Sequence, residues 1–317
     1  MEYSFCGNSG LQLPKISLGL WHNFGEADDF SDATKMICYA FDNGITHFDL
    51  ANNYGPPPGS AETTFGKILS KELKSYRDQL VISSKAGHLM WPGPYGDGGS
   101  RKYMMAGIDQ SLRRTGLEYF DIFYSHRYDR QTPIEETMQA LIDIVKQGKA
   151  LYIGLSKYPA DEAEKAYKIL KEQHVPCLVY QGKYNLFHRA PEERILELNE
   201  RNGVGFVAFS PLAQGLLTDK YLTEIPENSR AAKESVFLKK EDITTDVVNK
   251  AKSLNEMAKK RGQSLAEMAL AWVLFHKEVT SVIIGVSSVS QINENLGVLE
   301  KMSFTEDELH EIEKIIK

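Results

Sequence analysis

Eight short apolar runs, each followed by a stretch of helical period, set the strongest constraint on how this chain can fold. They occupy residues 16–21, 46–51, 80–86, 121–126, 151–156, 178–181, 204–210 and 281–286. A strand returns to a parallel neighbour only through a crossover of a dozen or more residues, so strands alternating with helices imply a parallel sheet. Eight such units without a break in composition point to an α/β chain with one closed (β/α)8 TIM barrel, a single domain over residues 1–317. The alternative is an open doubly wound sheet, but no G-x-G-x-x-G follows the first run.

Residues 3–14 read as two short strands about a Gly/Asn turn, an N-terminal β-hairpin cap. Thr132-Pro-Ile-Glu135 has the spacing of a capping box, with Ile134, Met138, Leu141 and Val145 on one face and Gly148 as the stop. After Pro159, a helix carries Ala163, Ala166, Tyr167 and Leu170 as one stripe. Ser264 with Glu267 and Thr305 with Glu308 predict two further capped helices, the second an extra C-terminal one. The longest stretch without a strong pattern is 223–244, a length usual for functional or mobile loops.

A net charge of -6 disfavours nucleic acid, which calls for a basic surface. The first residues lack a basic, apolar leader and no apolar run approaches the roughly 18 residues of a membrane span, so a cytoplasmic protein off the membrane is expected. Cys6, Cys38 and Cys177 are too few and too scattered for a disulfide framework or a metal site, so no metal is expected. An oligomer is compatible with all of this.

The active site of such a barrel lies at the carboxyl ends of its strands. There the sequence places Asp49, with Tyr54 five residues on, then Lys85 and His126 at the ends of the next two runs. A buried Lys85 needs a counter-charge, and Asp49 is the one available. A cation beside the Tyr54 phenol is expected to lower its pKa and ready it as a general acid, with His126 orienting a carbonyl oxygen. Singly, each has an ordinary reading as a packed or solvated side chain. Four useful groups at successive strand ends favour joint chemistry.

With Phe-Asp-Leu-Ala-Asn-Asn-Tyr-Gly at 48–55, then Lys85 and His126 in the same order, the chain resembles the aldo-keto reductases along essentially its whole length. The segments 19–25, 91–96 and 210–217 are most similar to the branch that includes bacterial L-glyceraldehyde 3-phosphate reductases and potassium-channel β subunits. The resemblance implies Tyr54 as general acid, Lys85 and Asp49 as its tuning pair, and His126 as the carbonyl-orienting group. It also implies reduction of small aldehydes or ketones with a nicotinamide, NADPH rather than NADH. Ser156 and Gln181 are then expected at the carboxamide and Phe209 against the ring. Ser210, Leu212, Gly215 and Lys220 fall on the pyrophosphate side, and Gly285, Ser287, Gln291, Glu294 and Asn295 at the adenosine half. Asp49 and Trp21 border the cofactor. Trp21, Tyr54, Trp91 and His126 border the substrate.

Gln291 stands where many members have an Arg for the 2′-phosphate, so the NADPH expectation rests on Lys220 and Arg230. Lys157 replaces the Asn that often follows Ser156. Two other classes compete: a channel-β-like redox-sensing subunit with bound nicotinamide, and a sugar-phosphate isomerase on the same barrel. The substrate expected is a short polar aldehyde such as L-glyceraldehyde 3-phosphate. Arg101, Lys102 and Arg127, near Trp91 and Tyr95, either receive its phosphate or are solvated surface charges.

Overall fold

A computed structural model describes residues 1–223 and 238–317 of the chain. Strands β1 (Tyr3–Phe5) and β2 (Gln12–Pro14) pair antiparallel as the expected hairpin. The barrel strands are β3 (Ile16–Gly19), β4 (His47–Asp49), β5 (Val81–Ala86), β6 (Phe120–Ser125), β7 (Ala150–Ser156), β8 (Cys177–Lys183), β9 (Gly205–Phe209) and β10 (Val279–Ile284). They form a closed parallel barrel in chain order, with β10 returning to β3.

Around them run α1 (Phe30–Asp42), α2 (Ser60–Ile68), α3 (Arg101–Thr115), α4 (Ile134–Lys146), α5 (Ala160–Glu172), α6 (Ile195–Asn202), α7 (Thr245–Lys260), α8 (Leu265–Phe275), α9 (Val289–Leu296) and α10 (Glu306–Ile316). α8 packs on β10, whereas α7 and α10 pack on each other, so α7 joins the expected C-terminal helix as a second addition to the eightfold pattern. Among the described residues no helix is long and apolar enough to cross a membrane.

Two apolar layers hold this together, because residues of a barrel strand alternate between the interior and the surrounding helices. The larger joins outward strand residues such as Phe48, Ile82 and Phe123 to helix residues such as Phe65, Met104 and Leu141. The smaller fills the barrel with Val81, Ile122, Tyr124, Val179 and Val207, and includes Cys6 and Leu13 from the hairpin. The hairpin therefore plugs the barrel end opposite the site. Gly7 permits this: its φ is +56°, and a Cβ there would lie 2.1 Å from the Gly203 carbonyl oxygen.

The Ser264 and Thr305 capping boxes form as expected. The box at Thr132 does not. Pro133 occupies the N-cap of α4 without a side-chain hydrogen bond, and Thr132 donates instead to Asp129 Oδ2 at 2.7 Å. Asp129 also accepts from the Gln131 and Gly99 amides, so a carboxylate three residues upstream captures the hydroxyl.

Candidate active site

Asp49 closes β4 and Lys85 is the penultimate residue of β5; the two adjacent strands set them side by side. Lys85 is fully buried and donates to Asp49 Oδ2 at 2.6 Å and to the Leu50 carbonyl at 2.7 Å. The other Asp49 oxygen accepts from Ser83 Oγ at 2.8 Å and Gln181 Nε2 at 3.0 Å. Every strong demand of this buried pair is met inside the barrel, which is what makes burial of two charges tolerable.

Behind Asp49 a chain of polar side chains crosses the interior. Ser83 Oγ meets His47 Nε2 at 3.0 Å, His47 Nδ1 meets Ser17 Oγ at 2.8 Å, and Ser17 meets Ser281 at 2.7 Å. Burial brings the His47 imidazole down to about 4, so it is neutral. Because a carboxylate only accepts, Ser83 must donate to it, which leaves His47 donating from Nε2 and accepting on Nδ1. The sequence reading did not anticipate this relay, whose signal is the two-residue spacing of His47 from Asp49 and Ser83 from Lys85.

Tyr54 reaches this pair from the loop after β4, its hydroxyl 3.4 Å from Lys85 Nζ. Here the sequence expectation reverses. Burial, and then the Asp49 carboxylate, raise the phenol well above its ordinary 10. The Lys85 ammonium is already engaged by Asp49 and Leu50, so its field at the phenol is largely cancelled. Tyr54 is accordingly a neutral hydroxyl, the form that can donate a proton.

His126 directly follows β6, 3% exposed, its ring edge-on to Tyr54 with centroids 5.9 Å apart. Burial, followed by the charges of Lys85 and Lys157, pulls it well below 6.5 and keeps it neutral. Its Nδ1 is buried without a hydrogen-bond partner among the described residues. Trp21 stands 6.3 Å from Tyr54, centroid to centroid, and Trp91 5.7 Å from Tyr103. The Tyr103 hydroxyl donates to the His88 carbonyl and accepts from Asn52 Nδ2, fixing the loop that carries His88 against His126. Neither Tyr103 nor His88 stood out in the sequence, since the chain separates them from the strand ends they serve.

The structure thus brings Asp49, Tyr54, Lys85, His126 and Trp21 together, with Gln181 tied to the same carboxylate. Ser156, at the end of β7, is the register partner of Gln181, and its buried Oγ has no hydrogen-bond partner among the described residues. An orphaned hydroxyl beside a glutamine suits an amide ligand such as a carboxamide. Phe209 ends β9 half-exposed, an aromatic side chain of the kind that stacks on a flat ligand.

Beyond it the backbone enters the left-handed region at Ser210, Ala213, Gln214 and Gly215. Non-glycine residues there cost of order 1 kcal/mol or more each, the strain typical of a ligand-binding turn. Leu212 lies half-buried within this turn. Lys220 is exposed, its Nζ 5.8 Å from the Tyr221 ring centroid. Arg230 lies outside the described residues. Gln291 Oε1 accepts from the Ser287 amide at 2.8 Å, Glu294 accepts from Ser290, and Asn295 is buried, while Gly285 is exposed at the end of β10. Arg101 pairs with Asp143 and Lys102 lies over Tyr95, so neither is brought into the catalytic cluster.

Residues 15–317 match the model of the Aldo/keto reductase family. Curated relatives named L-glyceraldehyde 3-phosphate reductase, from Escherichia coli O157:H7 and Escherichia coli strain K12, are each 52% identical over the whole of this chain and 92% of their own length. A protein of Arabidopsis thaliana named probable voltage-gated potassium channel subunit beta is 36% identical over the whole chain and 97% of its own length.

Proposed function

The chain belongs to the Aldo/keto reductase family and is an oxidoreductase; from that premise we propose that it reduces short polar aldehydes with NADPH, L-glyceraldehyde 3-phosphate foremost. The observation that carries the reading is the Tyr54 hydroxyl, neutral and 3.4 Å from a fully satisfied Lys85–Asp49 pair, beside a neutral His126.

When bound, the nicotinamide supplies the hydride that the carbonyl carbon accepts. Tyr54 donates its proton to the carbonyl oxygen as negative charge develops there, and Lys85 stabilises the phenolate left behind. His126, neutral, donates one hydrogen bond to the same oxygen and holds it toward Tyr54. Asp49 keeps Lys85 in place, and Ser83, Gln181 and the His47 relay keep Asp49 in place. Ser156 and Phe209 would hold the carboxamide and ring. Lys220 and Arg230 supply the cationic charge that a 2′-phosphate requires, since Gln291 is neutral and already bonded to Ser287.

The test is cofactor oxidation with short aldehydes, sugars and their phosphates against NADPH and NADH. NADPH-dependent turnover of short aldehydes, highest for L-glyceraldehyde 3-phosphate, is the expected result. Absence of turnover with every aldehyde would refute the reading, and tighter NADH binding would refute its cofactor half.

A further inference from the structure

Lys157 follows the last residue of β7 with a left-handed backbone, φ +56°. Its Nζ lies 3.3 Å from His88 Nε2 and 5.7 Å from the centroid of the Phe209 ring. An ammonium only donates, so His88 accepts on Nε2 and, being neutral, carries its proton on Nδ1. The His88 ring stands edge-on to His126 with centroids 4.4 Å apart. Lys157 Nζ is therefore one imidazole away from the group that faces the carbonyl.

The charges around it are of the wrong sign for a structural lysine. Among the described residues no carboxylate pairs with Nζ, and the charged groups acting on it are Lys85 and Arg127, both cations. Burial first, then those two charges, pull its amine down to about 8. The neighbouring cations each have an internal anion: Lys85 has Asp49, and Arg127 has Asp97 at 2.7 Å. Arg101, further out, has Asp143. A lysine set among like charges, oriented by a histidine and beside the reaction centre, has its charge balanced when a ligand brings the anion.

We propose that Lys157 is the subsite for the anionic group of the substrate, receiving a phosphate two carbons from a carbonyl held at Tyr54 and His126. It thereby selects phosphorylated three-carbon aldehydes over neutral ones. The proposal rests on the reductase reading and names the substrate class of that same site. It moves phosphate recognition from the Arg101 and Lys102 loop to the rim between β7 and the His88 loop.

The test compares kcat/KM for L-glyceraldehyde 3-phosphate and L-glyceraldehyde, at saturating NADPH, in wild type, Lys157→Met, Lys157→Arg and Lys102→Ala. Wild type is expected to favour the phosphorylated aldehyde by about tenfold or more. Lys157→Met should cut that ratio at least tenfold through KM, Lys157→Arg should keep most of it, and Lys102→Ala should leave it intact. Equal losses on both aldehydes in Lys157→Met would assign the residue to cofactor or fold and overturn the proposal, as would a ratio lost in Lys102→Ala. A second measurement is independent of turnover: calorimetric binding of glycerol 3-phosphate to wild type and Lys157→Met. At least tenfold weaker binding to the variant is expected; equal binding, or none to wild type, overturns the proposal. Failure of the reductase reading would show instead as no turnover of either aldehyde in wild type.

Discussion

Lys85 and Lys157 follow the same design to opposite ends. Both sit at carboxyl ends of barrel strands and act on the same imidazole, His126. Lys85 is fully buried, and Asp49 and the Leu50 carbonyl hold its ammonium. Lys157 remains open to solvent although its amine is partly desolvated, and the charges acting on that amine are cations. A lysine whose partners all come from the chain is fixed in place and charge, and so can support one chemical step on any substrate. Where the partner must come from outside, the lysine discriminates between substrates. The contrast separates what the enzyme does from what it does it to.

The sharpest way to break that contrast is Lys85→Met. Kinetics should show roughly a thousandfold fall in kcat, alike for phosphorylated and neutral aldehydes, because the phenolate left on Tyr54 loses its cation. A denaturant titration should also show about 3–5 kcal/mol less stability, the usual cost of removing one partner of a buried pair. A loss confined to the phosphorylated aldehyde would mean that the two lysines do not divide the work. Asp49→Asn comes next, with kcat down about a hundredfold, since the Lys85 ammonium keeps Leu50 but loses its fixed counter-charge. If steady-state rates stay near wild type, Asp49 is not what places Lys85.

A pH profile sharpens the other half. Lys157 is a cation below about 8 and loses its charge as pH rises through that value. The substrate phosphate gains its second charge near pH 6. The preference for phosphorylated over neutral aldehyde should therefore peak between about pH 6 and 8 and decline above it, read as a ratio of kcat/KM at each pH. A ratio that is flat across this range removes Lys157 from recognition. The smallest effect is expected on the cofactor side. Replacing Lys220 and Arg230 together with Ala should raise KM for NADPH about five- to tenfold and leave NADH nearly unchanged. Equal losses on both would assign these cations to the shared pyrophosphate.

Much of this could be read in the sequence, and particular residues show why. The barrel was legible because fully buried parallel strands read as short apolar runs, and each must be followed by a crossover. Asp49, Lys85 and His126 were legible because ionisable residues that end such runs have few structural reasons to be there. The sign of the Tyr54 shift was not. The sequence shows that Lys85 is near, but not that its protons are taken by Asp49 and Leu50, nor that burial outweighs its field. Thr132 misled for a similar reason, since a cap is a competition and Asp129 lay within reach. Lys157 and His88 meet only in three dimensions, 69 residues apart. The loop separation of α7 from α10 likewise hid their packing.

Tyr54→Phe tests the central claim most directly, because it removes one oxygen and leaves the Lys85–Asp49 pair in place. Single-turnover reduction of L-glyceraldehyde 3-phosphate should slow about a thousandfold or more, while titration shows NADPH bound within about twofold of wild type. A rate within about tenfold of wild type would contradict the account, since some other group would then be delivering the proton.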